Sequence, residues 1–184
     1  DDLLGWLESN NYSETYTIGT KSMCEMLEEN GIKTNSTNPE IIVLGYDTEI
    51  NYEKLTKSSI FLHKGVPLVA SHPDIVCPSP DGGLPDVGAY LALLEATTGV
   101  KPIHICGKPN PGMLNHKIKE LGLESHQVAM IGDRLYTDME MANRVGCLSV
   151  LVLSGEATKN DAKEAPQKID VLVNSVSDLI TRNN

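Results

Sequence analysis

Short β-rich runs alternate with amphipathic helical stretches along the whole of this chain, and that alternation restricts it to an α/β fold with mostly parallel strands. In the first half, strands are expected at Tyr16–Ile18, Ile41–Gly45 and Val66–Ala70. A helix from about Lys21 places Met23, Met26 and Leu27 on one face before Gly31 ends it. A second, capped by Asn51, runs to His63 with Leu55 and Leu62 in one stripe and Gly65 as the stop. A loop rich in Pro and Gly, Pro78 to Pro85, leads into a third helix carrying Val87, Tyr90, Leu91 and Leu94, closed by Gly99. The second half repeats the pattern: strand Ile103–Cys106, helix Pro111–Leu121, strand Val128–Ile131, helix Asp138–Val145, strand Leu148–Leu153 and strand Val171–Val173. Thr137 and Glu140 have the spacing of a capping box. A domain boundary is expected near Gly99 to Lys101, which divides the chain into residues 1–100 and 101–184.

With 184 residues, 40% hydrophobic and 22% charged, the chain can bury a core as one domain or two small ones. Its 15 basic and 25 acidic residues give a net charge of -10, which argues against nucleic acid and against an anionic membrane surface as partners. Any phosphate must therefore be held locally. The four cysteines, Cys24, Cys77, Cys106 and Cys147, show no CxxC spacing, so neither a zinc site nor a disulfide framework is suggested, and a cytoplasmic setting is expected. No apolar run approaches the roughly 20 residues that span a bilayer, and the N-terminal DDLLGWLESNN has acidic flanks where a signal peptide needs basic ones.

The most informative stretch is Val128-Ala-Met-Ile-Gly-Asp133-Arg-Leu-Tyr-Thr-Asp138, read as a buried apolar strand that ends in Gly-Asp, with a second aspartate opening a helix. Ligands of open α/β sheets bind beyond the carboxyl ends of the strands, where Asp133 would lie. A hard cation such as Mg²⁺ takes oxygen ligands and keeps several waters, so one direct carboxylate and one supporting carboxylate suit it. Equally, Asp138 alone could cap its helix and favour the positive N-terminal end. Upstream, Ile103-His-Ile-Cys-Gly-Lys108-Pro-Asn-Pro stops an apolar strand at Gly and presents a lysine before a helix. Beside a phosphoryl group such a lysine neutralises charge; by itself it is an exposed turn lysine.

These two stretches, GKPNPGM and GDRLYTDM in that order, resemble the third and fourth motifs of the haloacid dehalogenase superfamily. The resemblance is strongest to the subfamily that contains NagD, 4-nitrophenylphosphatase, phosphoglycolate phosphatase and pyridoxal phosphatase. IIVLGYDTEINYEKL, VASHPD and the helix from Pro85 to Glu95 are similar to segments of that subfamily's α/β cap. The resemblance implies an α/β cap over residues 1–100 and the C-terminal half of a Rossmann-like core over 101–184. It implies that Asp133 is a Mg²⁺ ligand, that Asp138 supports the metal site, and that Lys108 bridges the nucleophile and the substrate phosphate. Ser71, His72 and Asp74 fall in a loop resembling the cap's substrate-facing loop. Ser71 and His72 depart from the more usual Thr-Asn-Pro-Asp there, and His72 reads either as a substrate contact or as a solvent-facing loop histidine.

The family's first motif, Asp-x-Asp-Gly, is not found in the chain and is expected upstream of residue 1. Asp47, in Leu-Gly-Tyr-Asp47-Thr-Glu, ends a strand but matches the cap pattern instead. The function implied is Mg²⁺-dependent hydrolysis of small organic phosphate monoesters through an aspartyl-phosphate intermediate. The expected partners are a small phosphorylated metabolite and, through the cap, a second copy of the chain. Two alternatives stay open: a non-catalytic binding or interaction protein of the same fold without the nucleophile, and another enzyme of the superfamily such as a phosphotransferase or dehalogenase.

Overall fold

Four consecutive aliphatic residues, Ile41–Leu44, are wholly buried, and their run becomes intelligible once both faces of their sheet are covered. In the computed structural model, which describes residues 2–180, the first sheet contains β1 (Thr15–Ile18), β2 (Ile41–Leu44), β3 (Leu68–Ala70) and β6 (His104–Ile105). The strands lie in the order β1-β2-β3-β6, all parallel. Side chains alternate across a strand, so Ile41 and Val43 join Leu3, Leu7, Leu27, Val69 and Cys106 on one face. Ile42 and Leu44 join Tyr16, Leu62, Leu68, Val87 and Leu94 on the other. Helices α1 (Asp2–Ser9) and α2 (Lys21–Glu29) supply the first layer, α3 (Tyr52–His63) and α4 (Val87–Thr98) the second. Each such aliphatic side chain stabilises the fold by about 1.5–3 kcal/mol through burial.

The helix ends follow from their sequences. Asn51 accepts a hydrogen bond from the Lys54 backbone N–H at 3.0 Å, and Thr20 caps α2 through the Met23 N–H. Asp86 caps α4, and Gly99, at φ 74°, ends it in the left-handed conformation that glycine adopts without strain. Three elements go beyond the sequence expectations here. The N-terminal stretch forms α1, and the Pro- and Gly-rich loop is flanked by a short antiparallel pair, β4 (Val76–Cys77) and β5 (Leu84–Pro85).

The chain divides into two compact units between Gly107 and Lys108, whereas the sequence places the break at 100/101. The register Val69↔His104 and Ala70↔Ile105 makes the strand after Gly99 the fourth member of the first sheet. A helix-ending glycine resembles a domain end in sequence, but this one ends a crossover that returns to the same sheet.

The second unit contains a parallel sheet, β7 (Ala129–Gly132), β8 (Leu148–Val152) and β9 (Val171–Val173), in that order. Helices α5 (Gly112–Glu120), α6 (Glu140–Val145) and α7 (Lys159–Glu164) accompany it, α7 being unanticipated. Met139, Leu151 and Ala157 form its buried cluster with Leu135, Ala162 and Ile169 against them. The strand read as buried, Val128–Ile131, is instead exposed on alternate residues, with Ile131 42% accessible, and β7 pairs only with β8 among the described residues. Among those residues no helix is long and apolar enough to cross a membrane.

Candidate active site

β7 runs out at Gly132, and Asp133 stands just beyond its carboxyl end. Its carboxylate accepts the Glu156 backbone N–H at 2.9 Å, while its carbonyl accepts the Ala157 N–H at 3.0 Å. The loop that donates these bonds follows β8 and closes on Asp133 because residue 155 is glycine: a Cβ there would lie 2.1 Å from Asp133 Oδ2. The second carboxylate oxygen, Oδ1, carries no hydrogen bond among the described residues. Asp133, Arg134, Glu156 and Asp161 border a cavity of about 360 Å³, with Arg134 Nε 2.7 Å from Glu156 Oε2.

Asp138 is almost completely buried, yet it does not cap a helix in the expected way. It lies within a π-helical turn, Leu135–Met139, that runs into α6. Its Oδ2 accepts the Arg134 backbone N–H at 3.2 Å, and its Oδ1 receives the Lys108 ammonium at 2.6 Å. Gly132 makes this approach feasible, since a Cβ there would sit 2.3 Å from the Asp138 side chain. The expected Thr137–Glu140 capping box does not form, because Thr137 is inside the π turn; its buried Oγ1 has no partner among the described residues. Lys108 keeps 42% of its side chain accessible against 3% for Asp138, so the ammonium is anchored from beneath and open above.

Lys108, Asp133 and Asp138 thus all belong to the second unit, and the Lys108–Asp138 pair is formed directly. The residues fit a hard divalent cation: Asp133 keeps one uncommitted carboxylate oxygen, while the other is fixed by the Glu156 N–H where Gly155 leaves room for the carboxylate. Both oxygens of Asp138 are already engaged, which suits a supporting role over direct ligation.

Ser71, His72 and Asp74 lie in the first unit, just past the carboxyl end of β3. His72 is held on both ring nitrogens: Nδ1 is 2.9 Å from Ser71 Oγ and Nε2 is 2.8 Å from Asp86 Oδ1. Asp86 also accepts the Val87 N–H at 2.7 Å, so one carboxylate caps α4 and fixes the imidazole. Ligand atoms of His72, Asp74 and Asp86 come within 4.8 Å of one another. The first turn of α4 presses on this loop through Gly88, whose N–H donates to the Asp74 carbonyl at 2.7 Å and where a Cβ would meet the Pro73 oxygen at 2.4 Å.

Sequence reasoning missed Asp86, Arg134, Gly155 and Glu156. A signal existed for one pair: Gly155-Glu156 follows the apolar run of β8 as Gly132-Asp133 closes that of β7. Asp86 lies 14 residues from His72, and only the fold of the loop brings them together.

Two α/β units, each built on a parallel sheet, with a lysine held by Asp138 and Asp133 at the end of β7 in the second, define a Rossmann-like protein with a second α/β unit. A family model for HAD-hydrolase-like proteins matches residues 105–179. The dihydroxyacetone phosphatase of Corynebacterium glutamicum is 34% identical over 164 residues, which cover 89% of this chain and 59% of that protein. The structure of 4-nitrophenylphosphatase from Thermotoga maritima is 37% identical with a TM-score of 0.89, over 97% of this chain and 69% of that one. NagD from Escherichia coli K-12 is 25% identical with a TM-score of 0.87, over 96% of this chain and 69% of its own. The chain therefore belongs to the haloacid dehalogenase superfamily, in its NagD-like phosphatase group, and has the fold of that group's core half and α/β cap. It spans about three-fifths of the length of the dihydroxyacetone phosphatase it matches.

Proposed function

We propose that this chain is the cap and metal-holding half of a Mg²⁺-dependent phosphatase acting on small organic phosphate monoesters. The observation that carries the reading is the Lys108–Asp138 ion pair at 2.6 Å, in the same unit as an Asp133 carboxylate with one uncommitted oxygen. The free oxygen of Asp133 would hold Mg²⁺. When bound, the ion offsets charge on the phosphoryl oxygens. Lys108 binds the substrate phosphate and the attacking carboxylate as a compact cation, already aimed by Asp138, so no reorganisation is needed as charge develops. Asp138 acts through Lys108 and the Arg134 N–H and is a positioning residue.

The nucleophile in this reading is an aspartate on a segment upstream of residue 1. It attacks phosphorus to give an aspartyl phosphate as the P–O ester bond breaks and the leaving oxygen takes a proton from the second aspartate of the same upstream motif; water then hydrolyses the acyl phosphate, releasing inorganic phosphate and restoring the carboxylate. Support comes from the open edge of β7, which a further strand would pair, and from the buried, unpaired hydroxyl of Thr137. Ser71, His72 and Asp74 would contact the leaving group; their orientation by Asp86 supports selection among small phosphorylated metabolites. The dihydroxyacetone phosphatase relative makes phosphorylated trioses and sugars the first substrates to try. Four free thiols support a reducing, cytoplasmic setting. The exposed Ile75, Val76 and Leu84 around β4 and β5 support a homodimer through the first unit.

The test is Lys108→Ala in the complete protein. Hydrolysis of p-nitrophenyl phosphate at fixed Mg²⁺ should fall by about 100-fold or more, with the circular dichroism spectrum unchanged. Full activity in that variant would remove Lys108 from the chemistry and favour a non-catalytic binding protein.

A further inference from the structure

The first unit carries a groove that the phosphatase reading does not use. Two adjoining cavities, each of about 300 Å³, share Tyr16, Asn35 and Lys57 as a common wall. Both volumes are at the lower limit of small-molecule pockets, and side by side they offer room for an elongated ligand. Their chemistry differs from end to end. One end is bordered by Lys21, Lys54 and Lys57 and by the first residues of α2 and α3. The other is bordered by Ile60 and the Phe61 ring, with Lys64 Nζ 5.9 Å above that ring.

The charge is opposite to that of the chain. Four lysines (Lys21, Lys54, Lys57, Lys64) and two glutamates (Glu49, Glu53) border the two cavities, a surplus of two positive charges in a protein of net charge -10. Lys54 is committed to the buried Asp47 at 2.8 Å. Lys21 and Lys57 hold only exposed partners one helical turn away, Glu25 at 3.5 Å and Glu53 at 2.7 Å, and such pairs are worth little and yield easily to a better anion. A second observation is independent of the lysines. Tyr16 is only 6% exposed, borders both cavities, and its hydroxyl has no hydrogen-bond partner among the described residues. The ring is buried but the hydroxyl oxygen is not, so the hydroxyl can exchange water for a polar group of a ligand in the space it faces.

We propose that this groove binds a phosphorylated small molecule that carries a ring, of the nucleoside monophosphate kind. The phosphate sits at Lys21 and Lys57, the Tyr16 hydroxyl hydrogen-bonds the ligand at the junction, and the ring lies against Ile60 and Phe61. All of these residues belong to the first unit, so binding depends on neither Asp133 nor a bound metal.

The test is isothermal titration calorimetry of the protein in EDTA with AMP, adenosine and inorganic phosphate as probes. AMP should bind with a Kd below about 1 mM, and adenosine and phosphate at least about tenfold more weakly. Lys57→Ala should weaken AMP about tenfold, since a charge-assisted bond is lost from an exposed side chain whose removal leaves the fold intact. Tyr16→Phe keeps the buried ring and should weaken AMP severalfold, whereas Asp133→Asn should leave it unchanged. The proposal is overturned if AMP gives no heat at about 5 mM, if phosphate alone binds as tightly as AMP, or if both groove variants bind like the wild type. It is equally overturned if binding is lost in Asp133→Asn, which would put the ligand in the second unit.

Discussion

Glycine 155 shows how far a single missing side chain can shape a site. Its absent Cβ is what lets the loop after β8 reach Asp133 and donate the Glu156 N–H to it. Gly155→Ala should therefore displace either the loop or the carboxylate by the better part of an ångström, which costs a positioned site about 100-fold in rate. Measured as kcat/KM for p-nitrophenyl phosphate in the complete protein, a value within a few-fold of wild type would mean that the recess tolerates a methyl group. Cys106 is the opposite case, a reactive residue type made inert by its surroundings. Burial, with the negative charge of Asp2 adding to it, pushes the thiol up to about 12, so almost no thiolate exists at neutral pH. Iodoacetamide at about pH 8 should leave Cys106 unmodified in the native protein and label it after denaturation. Native labelling, read by peptide mass spectrometry, would contradict the burial.

At the scale of elements, alternation of apolar runs with helical stripes was enough to locate most strands and helices, because parallel strands covered on both faces need continuous aliphatic residues such as Ile41–Leu44. Helix ends were equally legible at Asn51 and Gly99, whose side chain or lack of one does the capping. What the sequence hides is pairing over distance: the return of His104–Ile105 to the first sheet, the Asp86–His72 contact, and the π turn that takes Thr137 out of its capping box. The junction of β8 and β9 gives an element-level prediction. Lys168, then the backbone N–H and hydroxyl of Ser149, hold the Asp170 carboxylate down at about 2. A lowered carboxylate contributes stability that is present above its unfolded value of about 3.9 and is lost as pH falls through about 2. Thermal melts should thus show Asp170→Asn destabilised relative to wild type at about pH 5, with the gap closing toward about pH 2. A gap independent of pH would mean that the carboxylate's charge is not what ties the strands together.

For the whole molecule, the two units divide the work in the proposed scheme: the first offers oriented polar groups at the end of β3, the second the Lys108–Asp138 pair and the Asp133 carboxylate. Lys108, Asp133 and Asp138 were legible through the resemblance of GKPNPGM and GDRLYTDM to family motifs, since each residue alone also reads as a turn lysine or a helix cap. The groove at Tyr16 was not, since its residues come from β1, α2, α3 and the segment around Asn35 and have no shared motif. In the proposed scheme Asp133 holds the metal of a phosphatase. The most direct test of that role is p-nitrophenyl phosphate hydrolysis by the complete protein and its Asp133→Asn variant, with Mg²⁺ and with EDTA. Turnover by the wild type should disappear with EDTA, and the variant should lose at least about 100-fold at saturating substrate. An Asp133→Asn enzyme with unchanged Mg²⁺-dependent turnover would contradict that role.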